Sequence, residues 1–121
     1  MPIKKVLIVD DSPTERYFLT ELLTKNGFAV SAAESAEEAV LKLKAATPDL
    51  ILMDVVMPGQ NGFQLTRTLS KDPATQTIPI IICTSKNQQT DRIWALRQGA
   101  RDFVSKPVKP DELLEKIAAL G

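Results

Sequence analysis

Apolar residues fall into two rhythms along this chain. Short, nearly unbroken runs alternate with longer stretches in which apolar positions recur every third or fourth residue. Lys4 to Val9, Phe28 to Ala33, Leu50 onward to the stop at Pro58, Ile80 to Cys83, and Asp102 to Ser105 have the first character. A run that is apolar at successive positions suits a strand buried on both faces, as in a parallel sheet covered by helices. The alanines of Phe28 to Ala33 make that stretch the least distinctive. Between the runs lie helical patterns. Phe18, Leu19, Leu22 and Leu23 form one stripe, Ala36, Ala39, Val40 and Leu43 a second, and Phe63, Leu65 and Leu69 a third, ending near Lys71. Leu113, Leu114 and Ile117 mark the last helix, which Pro110 opens. Asn87 to Gln98 reads as a helix with a poor apolar pattern, ended by Gly99.

Helix punctuation agrees with these bounds. Ser12, Pro13 and Glu15 form a start signal with a capping box, and Ser35 with Glu38 forms another. Gly27 suits the left-handed residue after the first helix. Met57 to Gly62 is rich in turn formers and reads as a loop. Strict alternation of strand and helix is the signature of βαβ units with right-handed crossovers. The expected fold class is α/β: a flavodoxin-like, doubly wound (βα)5 three-layer sandwich whose parallel sheet has the order 2-1-3-4-5.

Composition narrows the function. With 44% hydrophobic and 25% charged residues, the 121-residue chain can build one core, and the expectation is a single domain over 1–121. Lys and Arg balance Asp and Glu at 15 each, so the basic footprint of a nucleic-acid binder is missing. The lone Cys83 lies in an apolar run and reads as a small core residue; with no His in the chain, a Cys–His nucleophile and His-based zinc or acid–base sites are excluded. The apolar stretch Val6 to Val9 is too short for a signal peptide, and no stretch could span a membrane, so a cytoplasmic location is expected.

All strands of a parallel sheet end at one edge, which here collects Asp10 and Asp11, Asp54, Thr84 and Lys106. Taken singly, each has a plain explanation. Asp54 could cap a turn, Thr84 could end a strand, and Lys106 could be a solvated cation. Together, three carboxylates call for a hard cation, magnesium or manganese, while a lysine and a hydroxyl suit phosphoryl oxygens. An Asp carboxylate can serve as the nucleophile in phosphoryl transfer. Neither a G-x-x-x-x-G-K-[ST] loop nor a G-x-G-x-x-G fingerprint is present.

Asp10-Asp11, Asp54 with Met57-Pro58 and Gly62, Pro79 leading to Thr84, and Gly99-Ala100 leading to Phe103 and Lys106-Pro107 resemble, as an ordered set, the receiver domains of two-component response regulators. The resemblance covers essentially the whole chain. It implies that Asp54 accepts a phosphoryl group from a histidine kinase. It implies that Asp11 and Asp54 ligate Mg2+ directly with the backbone carbonyl of Val56, with Asp10 acting mainly through water. It further implies that Thr84 and Lys106 contact the phosphoryl oxygens, that Lys106–Pro107 is cis, and that Thr84 and Phe103 form a switch. The implied output face is the fourth helix, fifth strand and fifth helix, with Arg92, Leu96, Lys109 and an exposed side of Phe103. Trp94, on the poorly patterned helix, is expected to pack in the core.

Val108 stands where the family often has Phe, and Val56 and Lys86 flank the expected phosphoryl group. Apolar Val56 cannot orient a water, so slow self-dephosphorylation is expected. A narrower likeness joins Asp10 to Glu15, Arg97 to Asp102 and Lys106 to Val108 to stand-alone, chemotaxis-type regulators of type IV pilus twitching motility. It implies a histidine kinase of a chemotaxis-like system, a protein target and no output domain. A monomer is the expected state, on the ground that no large apolar stripe is left uncovered. Three alternatives stay open: a phosphate sink for a shared kinase, a receiver cut from a larger regulator, and a haloacid-dehalogenase-like phosphatase. The last requires a second acid where Val56 stands.

Overall fold

The computed structural model describes residues 2–85 and 89–120. Ten elements alternate: β1 (Lys5–Val9), α1 (Pro13–Lys25), β2 (Ala29–Ala33), α2 (Ala36–Ala45), β3 (Leu50–Met53), α3 (Gly62–Lys71), β4 (Ile80–Thr84), α4 (Gln89–Arg97), β5 (Asp102–Ser105) and α5 (Pro110–Leu120). Asn87 as a helix start, Lys86 beside the site and Gly121 at the chain end lie outside the described residues. The strands form one parallel sheet in the order β2-β1-β3-β4-β5.

The unbroken apolar runs follow from burial on both sides. Alternate side chains of a strand point to opposite faces. Leu7, Val9, Ile51, Met53, Ile80 and Ile82 pack with Ala39, Leu65, Leu69 and Ala95, under α2, α3 and α4. Their neighbours Val6, Ile8, Leu50, Leu52, Ile81 and Cys83 pack with Leu19, Leu23, Leu113 and Ile117, under α1 and α5. Two apolar layers therefore clamp the central strands and fix their carboxyl ends.

Cap chemistry is more economical than the sequence suggests. The Ser12 hydroxyl accepts from the Glu15 N–H (3.3 Å) and Ser35 from the Glu38 N–H (3.1 Å). Neither acid completes the expected box: the Ser12 N–H donates to Asp10 Oδ1 at 2.9 Å, and Glu38 accepts from the Glu34 N–H instead. A full capping box does exist, between Asn61 and Gln64 at the start of α3, inside the stretch that reads as a loop.

Three expectations around α4 are corrected. Trp94 is 49% exposed, not core. The helix meets the sheet through Ala95, with Gln98 and Ala100 also buried. Ala95 lets the helix lie close to the sheet and turns the larger neighbours outward. Ile93 and Leu96 are exposed as well, so the premise of the monomer expectation, that no apolar stripe is left uncovered, does not hold. Phe103 is buried in the layer beneath α4 and presents no exposed side, which leaves Arg92, Leu96 and Lys109 on the expected output face. Asp102 ties this region together, accepting from Lys116 of α5 at 2.9 Å and pairing with Arg92 of α4 at 3.9 Å.

Candidate functional site

The register of the sheet brings the acidic residues together. Val9 pairs with Met53, so the next residue on each strand, Asp10 and Asp54, stands at the same edge. Their backbones are pinned there: the Asp54 N–H donates to the Val9 carbonyl (2.8 Å) and the Asp10 N–H to the Ala33 carbonyl (3.0 Å). Arg16 Nη1 donates to the Asp10 carbonyl at 2.8 Å, holding the turn into α1. Asp10 and Asp54 are buried and Asp11 is exposed, and carboxylate oxygens of all three lie within 4.8 Å of one another.

Lys106 reaches the same point from β5. Its N–H donates to the Thr84 carbonyl at 2.9 Å, which fixes its backbone beside the end of β4. Its ammonium then donates to Asp10 Oδ2 at 2.8 Å and to Asp54 Oδ1 at 3.2 Å. Thr84 ends β4 at this edge and is wholly buried, and the Lys106–Pro107 peptide bond is cis.

The loop after Asp54 is held by backbone. The Gly62 N–H donates to the Val55 carbonyl at 2.9 Å. A Cβ on Gly62 would lie 1.9 Å from the Asp54 carbonyl oxygen, so only glycine lets α3 start this close to the phosphoacceptor candidate. Val56 is 57% exposed.

Charge and burial compete here. Burial first, and the Asp10 carboxylate second, push Asp54 up from 3.8 to about 6, against the opposing pull of Lys106. Burial works to lower Lys106, but its hydrogen bond to Asp10 and the charges of Asp10 and Asp54 outweigh that and hold it above its ordinary value. Cys83, pushed up to about 12 by burial, is an unreactive core thiol.

The donor set is all oxygen, three carboxylates, which suits a hard divalent cation; Val56, whose carbonyl is the expected further donor, follows two residues after Asp54. The Lys106 ammonium, seated between Asp10 and Asp54, shows that a positive charge is stabilised at this point. The structure thus gathers Asp10, Asp11, Asp54 and Lys106 into one cluster, with Thr84 at the same edge and Phe103 buried on the adjoining strand. Sequence reading did not single out Arg16 as the side chain that fixes the Asp10 turn. Its signal, a cation four residues beyond the Ser12 cap, is too common to stand out.

Residues 6–118 match the family model of the response regulator receiver domain. The chain is 53% identical to Protein PilH of Pseudomonas aeruginosa, over 96% of each chain. It is 39% identical to Chemotaxis protein CheY of Thermotoga maritima, over 94% of each. Among solved structures, chemotaxis protein CheY4 of Vibrio cholerae superimposes with a TM-score of 0.91 at 28% identity, covering 98% of this chain and 99% of that one. Receiver domains bind Mg2+ at an acidic pocket, accept phosphate from histidine kinases and signal to protein partners.

Proposed function

The chain belongs to the family of response regulator receiver domains, and on that premise we propose that it is a stand-alone regulator phosphorylated on Asp54. One observation carries the reading: a buried carboxylate at the end of the central strand, with two further carboxylates and a lysine ammonium converging on it. An Asp54 carboxylate oxygen attacks the phosphorus of a phosphohistidine. The new O–P bond gives an acyl phosphate as the P–N bond breaks and the imidazole leaves with the electron pair. Asp54 is mostly ionised above about pH 6, and so is a competent nucleophile at neutral pH. Asp10, Asp11, Asp54 and the Val56 carbonyl would hold Mg2+, or Mn2+, which when bound supplies neutralisation of phosphoryl oxygen charge. Lys106 turns from Asp54 to the arriving oxygens, and the Thr84 hydroxyl takes another. Thr84 and Phe103 then couple the site to the face of α4, β5 and α5, where Arg92, Leu96 and Lys109 meet a protein target. A packed aromatic such as Phe103 has discrete seats rather than a continuum, which suits a two-state switch.

The identity with PilH over nearly the full length of both chains supports a stand-alone regulator fed by a chemotaxis-like histidine kinase, and a place in type IV pilus twitching motility. A dehalogenase-type phosphatase is disfavoured because exposed Val56 stands where its second acid is required.

The test is intact mass after incubation with acetyl phosphate and Mg2+, beside Asp54→Asn. One added phosphoryl group, lost in the variant and without metal, is expected. Failure of both acetyl phosphate and a cognate kinase to add it would refute the phosphoacceptor role.

A further inference from the structure

Away from the carboxylates, α3 and α4 enclose a groove of about 430 Å³ lined by Arg67, Ser70, Lys71, Trp94, Arg97 and Gln98. We propose that this groove docks an acidic segment of a protein partner, with an apolar side chain of that segment lying on Trp94. It stands apart from Asp54, so the inference does not depend on phosphorylation there.

Charge is the first argument. Arg67 and Lys71, one turn apart on α3, face Arg97 of α4, and no carboxylate lines the groove. Five other cations, Arg16, Lys42, Arg92, Lys106 and Lys116, each pair with an acid; what sets the groove apart is that three cations cluster on it with no acid among its lining. Among the described residues, Arg67, Lys71 and Arg97 form no ion pair. In a chain of zero net charge, three unmatched cations on one groove are a local excess that an acidic surface complements.

The second argument is the wall. Trp94 is 49% exposed and walls the groove beside the three cations. A small anion would satisfy the cations and leave the indole bare, whereas a peptide segment carrying both acids and an apolar side chain covers both. Trp and Arg are also the side chains that most often dominate protein interfaces.

The third is the floor. Gln98, 9% exposed, forms part of the lining and offers an amide N–H donor to a carboxylate or backbone carbonyl brought into the groove. The floor is also rigid. Gly99 adopts φ +109°, and a Cβ there would lie 2.1 Å from Ser70 Oγ, so α3 and α4 abut and the groove is formed before any partner arrives.

The chain has one tryptophan, and it lies in the groove, so its emission reports occupancy directly. The probe is a synthetic Glu-rich amphipathic peptide with Leu and Phe anchors and no Trp. A copy with Gln for every Glu, ATP and pyrophosphate are titrated in parallel. The acidic peptide is expected to shift Trp94 emission to the blue, saturably, with affinity falling as salt is raised. Arg67→Glu with Arg97→Glu should weaken it about tenfold or more, with unchanged circular dichroism and unchanged phosphorylation of Asp54. No saturable shift, an equal response to the Gln peptide, or indifference to the charge reversals would overturn the proposal. So would saturation by ATP or pyrophosphate without the peptide, which would reassign the groove to a small anion.

Discussion

Replacing Asp54 by Asn should make the metal-free protein more stable, and by an amount the structure sets. Asp54 is 6% exposed, and burial together with Asp10 raises it from 3.8 to about 6. The folded chain therefore holds that proton more tightly than the unfolded chain does. The stability so contributed is fully present below about pH 4 and is lost as pH rises through about 6. Each pH unit between the two values is worth about 1.4 kcal/mol, so at pH 8 the ionised carboxylate costs the native state about 3 kcal/mol. The amide has nearly the same shape and carries no charge. Lys106 keeps its 2.8 Å contact with Asp10 in the variant. We expect Asp54→Asn to gain roughly 2–3 kcal/mol at pH 8 in chelator and almost nothing at pH 4. A bound ion stabilises by mass action, about 2.7 kcal/mol at a hundred times its Kd, so saturating Mg2+ should raise the wild type and narrow the gap. Urea unfolding followed by circular dichroism at pH 4, 6 and 8, with chelator and with Mg2+, measures all of this. A variant no more stable than wild type at pH 8, or equally advantaged at pH 4, would refute the reasoning.

Lys106→Met leaves Asp10 and Asp54 buried without a cation and should cost about 3–5 kcal/mol at pH 8, less at pH 5 where Asp54 protonates; equal stability at the two pH values in the same urea assay would contradict this. Gly62→Ala drives a methyl into the Asp54 carbonyl and should lose more than about 2 kcal/mol along with the Mg2+-dependent mass gain; wild-type phosphorylation would show that the loop can yield. Trp94 should emit near the wavelength of indole in water and be readily quenched by acrylamide, whereas blue, protected emission would place it in the core after all. Val56→Asn supplies a side chain able to orient water and should shorten the lifetime of the phosphorylated protein, read by mass over time; an unchanged half-life would detach that position from hydrolysis.

The strands were legible in the sequence because a strand covered on both faces has no polar side to confuse its pattern. Ile80, Ile81 and Ile82 alternate between two apolar layers, and each layer demands the same kind of residue. The site was legible because strands of a parallel sheet end together, so Asp10, Asp54 and Lys106 had to meet. Which carboxylate the ammonium would favour was not legible, since the contact between Lys106 and Asp10 spans 96 positions and depends on Å-scale geometry. Helix α4 escaped for another reason. Its seat on the sheet is set by the smallness of Ala95, and a pattern search weighted toward large apolar residues looks to Ile93, Trp94 and Leu96, which face outward. The cap of α3 hid among turn formers because Asn61 is both a turn residue and a good cap.

Three carboxylates against one ammonium leave the site, in formal charge, two short of neutral. An incoming phosphoryl group, itself negative, deepens that shortfall and is repelled by it. A divalent cation matches it in magnitude. On the function proposed above, electroneutrality would favour an order of events, cation before anion, that no moving part needs to enforce. The local supply of divalent cation would then gate phosphorylation while the fold stays as it is.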